Sequence, residues 1–267
     1  MNTYSQKILN NSREWVLSLC VVGALLSGCA SMESESNKAK DKVVQPAPDA
    51  GFIEHPERQS KPTDLPFQKV WIKPGYDKSG YHELIVAPVN TRYMLEMDWL
   101  HSAGSANWLS DVKKDIEELA LYFHDQVVKE FKEDPNHRFR VIEYSGQQKR
   151  PGTLRLELAL IEVNPSQPVL HALAWAGPPG TGTAAGAVNQ RRAAFEGRLR
   201  DLNTDEIVAT FADRDTQDAG PLDLTRLTWY GPARGILDRW AQQFVKIANR
   251  KPGEAVTDPT AYTLRPF

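Results

Sequence analysis

The stretch WAGPPGTGTAAG, Trp175 to Gly186, carries the glycine spacing of a phosphate-binding loop. Such a loop cradles phosphates with backbone N–H groups. It also needs a lysine that reaches the β- and γ-phosphates and a hydroxyl on magnesium, in the order G-x-x-x-x-G-K-[ST]. Gly177 and Gly182 supply the glycines, but Thr183 stands where the lysine belongs and Ala184 where the hydroxyl belongs. The stretch therefore reads as a connection between two strands, and no nucleotide is expected. From Leu173 to Val188 the chain is rich in Ala, Gly and Pro. Small residues permit close backbone approach, to the domain's own edge or to a partner, with Trp175 as the one large ring.

Other chemistries fare no better. The six histidines, His55, His82, His101, His124, His137 and His171, show no paired ligand spacing. Asp213 to Gly220, DRDTQDAG, resembles a calcium loop only in part: Asp218 replaces its glycine and Leu224 its closing glutamate. Ser105, in AGSAN, lacks the second glycine of a nucleophile elbow. Glu117 and Glu118 are neighbours on one helix, so they point about 100° apart and cannot share a substrate atom. No catalytic residue, metal ligand or cofactor is assigned, and the chain is not expected to be an enzyme. Carboxylates brought together by folding stay open to a second reading, that of a hydrolase or ligand-binding protein acting on cell-wall or membrane material. In LTWYGP, Trp229 and Tyr230 either staple a helix to a sheet or sit in a protein interface, where such rings are enriched.

The chemistry that does stand out is at Cys29. Lys7 and Arg13 precede an apolar run of about a dozen residues, Trp15 to Leu26. That is too short to span a bilayer, which needs roughly 20, and it fits the core of a secretory signal. Leu26, Ser27 and Gly28 then lead into Cys29 and Ala30. These small residues before a cysteine resemble the lipobox of bacterial lipoproteins. The resemblance implies recognition of Leu26–Gly28 by a signal peptidase, cleavage after Gly28, and diacylglycerol plus fatty acyl groups such as palmitate on Cys29. The only other cysteine, Cys20, lies in the signal, so the mature chain could form no internal disulfide. Each buried methylene of an acyl chain contributes about 0.8 kcal/mol, so several chains anchor a protein lastingly. Ala30 after the cysteine implies, by the same resemblance, sorting to the outer membrane, facing the periplasm.

The elements that follow must stand on that anchor. Ser31 to Pro66 is polar, charged and proline-bearing, and is expected to be a disordered tether; fully stretched, its 36 residues would reach over ~100 Å. A folded body is expected over 67–250. Leu84–Val89 reads as a strand. Ser110 is placed as the cap of a long helix with Val112, Ile116, Leu119, Phe123, Val127 and Phe131 on one stripe. Arg138–Tyr144 and Thr153–Val163 read as strands, the latter with Leu154, Leu156, Leu158 and Leu160 inward. Ala193–Leu202 and Glu206–Asp213 form a hairpin about Asn203-Thr204-Asp205. A second helix starts near Gly231, with Pro232 in its first turn. Residues 251–267 are a tail. The expected fold is α+β: one mostly antiparallel sheet with two helices on one face. Net charge is −2 over 267 residues, and no basic field marks a nucleic-acid partner.

Trp71–Val89, Leu156–Pro168, Phe195–Arg214 and Leu237–Phe244 together resemble a family of bacterial lipoproteins known as a domain of unknown function, over about Phe67 to Arg250. Members often carry Thr-Gly at the hairpin turn; Thr204-Asp205 here implies a looser turn. The resemblance implies an envelope lipoprotein that interacts or assembles, with another envelope protein or its own copies, and Trp175, Trp229 and Tyr230 are the candidate contacts.

Overall fold

The computed structural model describes residues 44–94, 106–143, 149–164, 191–217 and 231–257. Six strands form one mixed sheet: β1 (Lys69–Ile72), β2 (Glu83–Val86), β3 (Arg140–Val141), β4 (Thr153–Asn164), β5 (Arg191–Asp201) and β6 (Ile207–Gln217). Their order across the sheet is β1-β6-β5-β4-β2-β3. The pairings from β1 through β4 are antiparallel; β2 lies parallel to both β4 and β3. Parallel neighbours need a long crossover, and helix α1 (Ala106–Lys132) lies in the connection from β2 to β3.

Both helices pack on one face, as their stripes require. Val112, Ile116, Leu119, Phe123, Val127 and Phe131 of α1 are all buried. So are Ala233, Ile236, Leu237, Trp240 and Phe244 of α2 (Gly231–Asn249). They meet Leu154, Leu156, Leu158 and Leu160 of β4, with Phe195 and Phe211 of the hairpin. Trp240 lies edge-on to Phe195, centroids 4.6 Å apart, and its indole N–H donates to Asp213 at 2.9 Å. A buried indole needs such an acceptor.

Several expectations shift in position. Helix α1 begins at Ala106, so Ser110 is an interior residue and not a cap. Serine inside a helix costs only a few tenths of a kcal/mol relative to alanine, and Ala106 to Leu109 extend the helix past it. The strand expected over Arg138–Tyr144 narrows to Arg140–Val141 among the described residues. His137 takes a positive φ of 48°, and Asp134 accepts from Asn136 N and Arg138 N. That turn holds the chain out of the ladder until Arg140. The hairpin turn is closed, not loose: Asp205 N donates to Asp201 O at 2.8 Å, and Asp205 sits at φ 65°. Aspartate tolerates this left-handed region, which is why glycine also serves there. Strand β1 forms where the sequence pattern marks none.

The largest correction concerns residues 44–66. From Val44 on, the segment expected as tether packs on the sheet. Ala47, Phe52 and Ile53 are buried against Ala159, Ile161, Ala194 and Ala212, on the face away from the helices. A β-bulge between Leu160 and Glu162 leaves Ile161 and Glu162 on that face and returns Val163 to the helix side. The polar composition of the segment is met by specific partners. Glu196, only 2% exposed, accepts from Ala50 N at 2.8 Å, Phe52 N at 3.0 Å and Ile53 N at 3.2 Å. Its cross-strand neighbours are Ala159 and Ala212, so no long side chain stands between its carboxylate and this strap. Arg198 lies over the Phe52 ring at 4.4 Å. Lys69 donates to Ala47 O at 3.1 Å and pairs with Asp49 at 2.6 Å. Farther along, Ser60 pairs with Val70 on the outer edge of β1.

Candidate functional site

At the end of the sheet where β2 and β4 begin, the C-terminal turns of both helices leave a cavity of about 370 Å³. Its bed is apolar: Phe67, Leu84, Phe131, Leu156, Phe211 and Phe244 are among its walls. Phe211 stacks on Phe67 at 5.4 Å. Gly197 makes room for that ring, because a Cβ there would lie 2.3 Å from Phe211 Cε2. Protein interiors seldom hold voids much larger than a water, whereas ligand pockets run from about 300 to 1,000 Å³.

The mouth is polar and is built by the β1–β2 connection and the end of α2. Tyr76, Asp77 and Lys78 come from the first; Arg250 and Lys251 follow the second. Lys78 Nζ donates to Ala248 O at 2.9 Å and to Arg250 O at 2.5 Å, carbonyls at the end of α2. A cation there complements the negative end of the helix dipole. Burial, then the nearby Arg138 and Arg250 charges, lower the Lys78 pKa. Burial pushes the Tyr76 phenol well above its usual range, with the neighbouring Tyr81 adding to it, so Tyr76 stays protonated and able to donate. Tyr81 is pushed up to about 12, first by burial and then by its bond to Asp201, which accepts from the hydroxyl at 3.0 Å. Asp77 accepts from Ser79 N at 2.8 Å; its pKa is lowered by the Ser79 side chain, then by that backbone bond. Arg250 pairs with Asp64 at 2.6 Å.

A second charged cluster is structural. Buried Glu83 accepts from Arg150 Nε at 2.6 Å and Thr153 Oγ1 at 2.8 Å, and also pairs with Arg140. Arg150, Thr153 and Arg140 hold its carboxyl at about 2. The cluster joins β2, β3 and β4 at one point.

The residues singled out from sequence do not meet at this site. Leu26, Ser27, Gly28 and Cys29 lie outside the described residues, as do Trp175, Trp229, Tyr230 and the whole Gly177–Gly182 loop. His55 pairs with exposed Glu57, and His124 lies beside Asp125 and 3.3 Å from Val86 O. Among the described residues no three of His, Cys, Asp and Glu stand together as a metal site, and no helix is long and apolar enough to cross a membrane. Sequence reading missed Tyr76 and Lys78. The available signal was a Gly- and Pro-bearing turn, KPGYDKSGY, that puts two tyrosines and two lysines between two strands.

The family model described as "Protein of unknown function (DUF3313)" matches residues 57–244. No curated protein matches the chain. Solved structures that resemble it include the PelC dodecamer from Paraburkholderia phytofirmans: TM-score 0.34, 8% identity, covering 65% of this chain and 93% of that one. A single-substitution form of that dodecamer gives a TM-score of 0.33 at 9% identity, with 65% and 92% covered. Protein XCC0632 from Xanthomonas campestris, of family DUF330, gives 0.34 at 11% identity, with 65% and 86% covered.

Proposed function

The chain belongs to the DUF3313 family of proteins of unknown function, and from that premise we propose that it is a lipoprotein anchored in the bacterial outer membrane. The anchor is Cys29, the folded body faces the periplasm, and that body works by binding rather than by catalysis. One observation carries the anchor: the sequence Leu26-Ser27-Gly28-Cys29 directly behind an apolar run too short to span a bilayer. The packed strap adds a distance. From Cys29 to Val44 there are only 15 residues, which extend to about 50 Å at most. That is less than half the reach a tether ending at Pro66 would have.

Binding rather than chemistry is supported by the cavity's composition. Its bed is apolar, and its one carboxylate, Asp77, is engaged by Ser79. A hydrolase would place an acid and a base on either side of one scissile bond. A protein contact is the complementary part of the proposal. Past Ser60 the outer edge of β1 carries no strand among the described residues, and Ile72 on it is 43% exposed. An open edge with an apolar side chain suits strand addition by another envelope protein or a second copy. Trp175, Trp229 and Tyr230 are the proposed further contacts.

Growth with labelled palmitate tests the anchor. Label is expected on the wild-type chain and not on Cys29→Ser, which should leave the membrane fraction. Label that persists on Cys29→Ser refutes the assignment. Crosslinking in intact cells tests the contacts: a specific adduct lost on deletion of Trp175–Val188 places them there.

A further inference from the structure

We propose that the cavity beneath Tyr76 and Lys78 binds a single-chain anionic amphiphile, with the acyl chain in the apolar bed and its carboxylate or phosphate at the Lys78 ammonium. The inference deepens the reading of the domain as a binding module and rests on that reading, but not on acylation of Cys29.

The cavity's size and walls select the chain. About 370 Å³ is roughly a dozen times the ~30 Å³ share of one water in the liquid. A methylene is of similar size, so an acyl chain of about ten to twelve carbons fits. Water is a poor occupant, because a buried water needs two to four polar partners, and the walls here are leucine, valine, isoleucine and phenylalanine over most of their area.

The mouth selects the head. An ammonium has three protons, and Lys78 spends two on Ala248 O and Arg250 O, leaving one for a ligand. No carboxylate among the described residues lies within ion-pair distance of Lys78 or of Lys251 beside it. Arg250 is paired by Asp64; Asp77 is hydrogen-bonded by Ser79 and keeps its charge, and Glu254, bonded to Lys251 N, acts on Lys78 from farther off. The rim therefore presents an ammonium with no directly paired carboxylate next to apolar surface. Tyr76 lines the same mouth, and its hydroxyl donates to no other described residue. Held protonated by burial, it adds a neutral donor beside the ammonium. A cationic head would be repelled, and an uncharged one would forgo the ion pair.

The test uses the full chain carrying Cys29→Ser, so that no covalent acyl group competes. Dodecanoate, dodecanol and dodecyltrimethylammonium are titrated by calorimetry. Dodecanoate is expected to bind at one site, about tenfold more tightly than dodecanol, with the cation weakest. In Lys78→Gln, dodecanoate should weaken about tenfold to the level of dodecanol, while dodecanol binding stays unchanged; that unchanged value shows the cavity intact. Equal affinity for all three heads, or loss of dodecanol together with dodecanoate in a folded Lys78→Gln chain, would overturn the assignment. So would absence of binding, or binding that appears only when the chain is cut after Thr257, which would make the cavity a seat for the protein's own tail. Two sources share the chemistry, and native mass spectrometry separates them. Incubation with phosphatidylglycerol vesicles yields a bound phospholipid if the membrane supplies the ligand; a bound fatty acid marks a free one. Failure of every titration leaves palmitate labelling at Cys29 untouched, so the two readings fail separately.

Discussion

Replacing Glu196 by alanine should free the strap at residues 44–54 without unfolding the sheet. Three backbone N–H groups depend on this carboxylate, and those of Phe52 and Ile53 are buried. A hydrogen bond to a charged acceptor contributes about 1.5–3 kcal/mol, and a buried donor left without one costs about 1–3 kcal/mol. The terms overlap, since one carboxylate serves all three donors. A net loss of about 3 kcal/mol is a reasonable magnitude for strap opening. Phe52 and Ile53 keep their apolar contacts with Ala159, Ile161 and Ala212, so the strap loosens rather than departs. At 1.4 kcal/mol per factor of ten, its amides should exchange with deuterium roughly 100-fold faster. Hydrogen-exchange mass spectrometry on peptides covering 44–56 reads this, with helix α1 as the internal control. Unchanged exchange at Ala50, Phe52 and Ile53 would refute the clamp. A uniform rise across β4, β5 and α1 would show that Glu196 supports the whole sheet instead.

Three further substitutions probe the fold beneath the cavity. Glu83→Gln should flatten the acid limb of stability: the folded carboxyl titrates at about 2 against an ordinary 4.5. Its stabilisation is therefore complete above about 4.5 and lost as pH falls toward 2. Because Arg140 is 71% exposed and screened by solvent, that contribution is on the order of 2 kcal/mol; denaturant melts should place the wild type above the variant at pH 7 and narrow that gap at pH 3. Gly197→Ala drives a methyl to within 2.3 Å of Phe211, whose ring is held between Phe67 and Phe244. It should cost about 1–3 kcal/mol and be relieved by Phe211→Leu, measured as paired Tm values. Trp240→Phe removes the donor to Asp213 and should cost about 1–3 kcal/mol by the same denaturant melts.

The parts of this fold that were legible share one property: a period set by burial on a single face. The stripes of α1 and α2 and the leucines of β4 each repeat at the spacing of their element, and each lies in the helix-side core. The strap was illegible because it has no period. Its backbone is satisfied by one glutamate 143 to 146 residues away and its apolar residues by alanines on three strands, which no local pattern reveals. Proline, aspartate and lysine in Gln45–Asp49 and its surroundings imitate a disordered linker, yet Lys69 and Asp49 hold one another. Strand β1 is short and lies at the edge, with Lys69 and Trp71 on the strap side, so its apolar alternation is faint. The cavity was hidden for a related reason. Phe67, Leu84, Leu156 and Phe244 look like any core residues, and only the splay of two helix ends turns them into a lining. Lys78 and Tyr76 sit in a turn whose composition explains itself locally and gives no hint of what it faces.

Whether this protein is a binding domain on a lipid anchor is read from its intact mass. The wild-type chain would be taken from bacterial membranes and weighed by mass spectrometry, first denatured and then under native conditions. A chain that starts at Cys29 and carries covalent diacylglycerol and acyl mass is expected. Under native conditions a further, dissociable mass of one anionic amphiphile is expected. A chain that retains Met1 to Gly28, or a Cys29 of unmodified mass, would contradict the anchor.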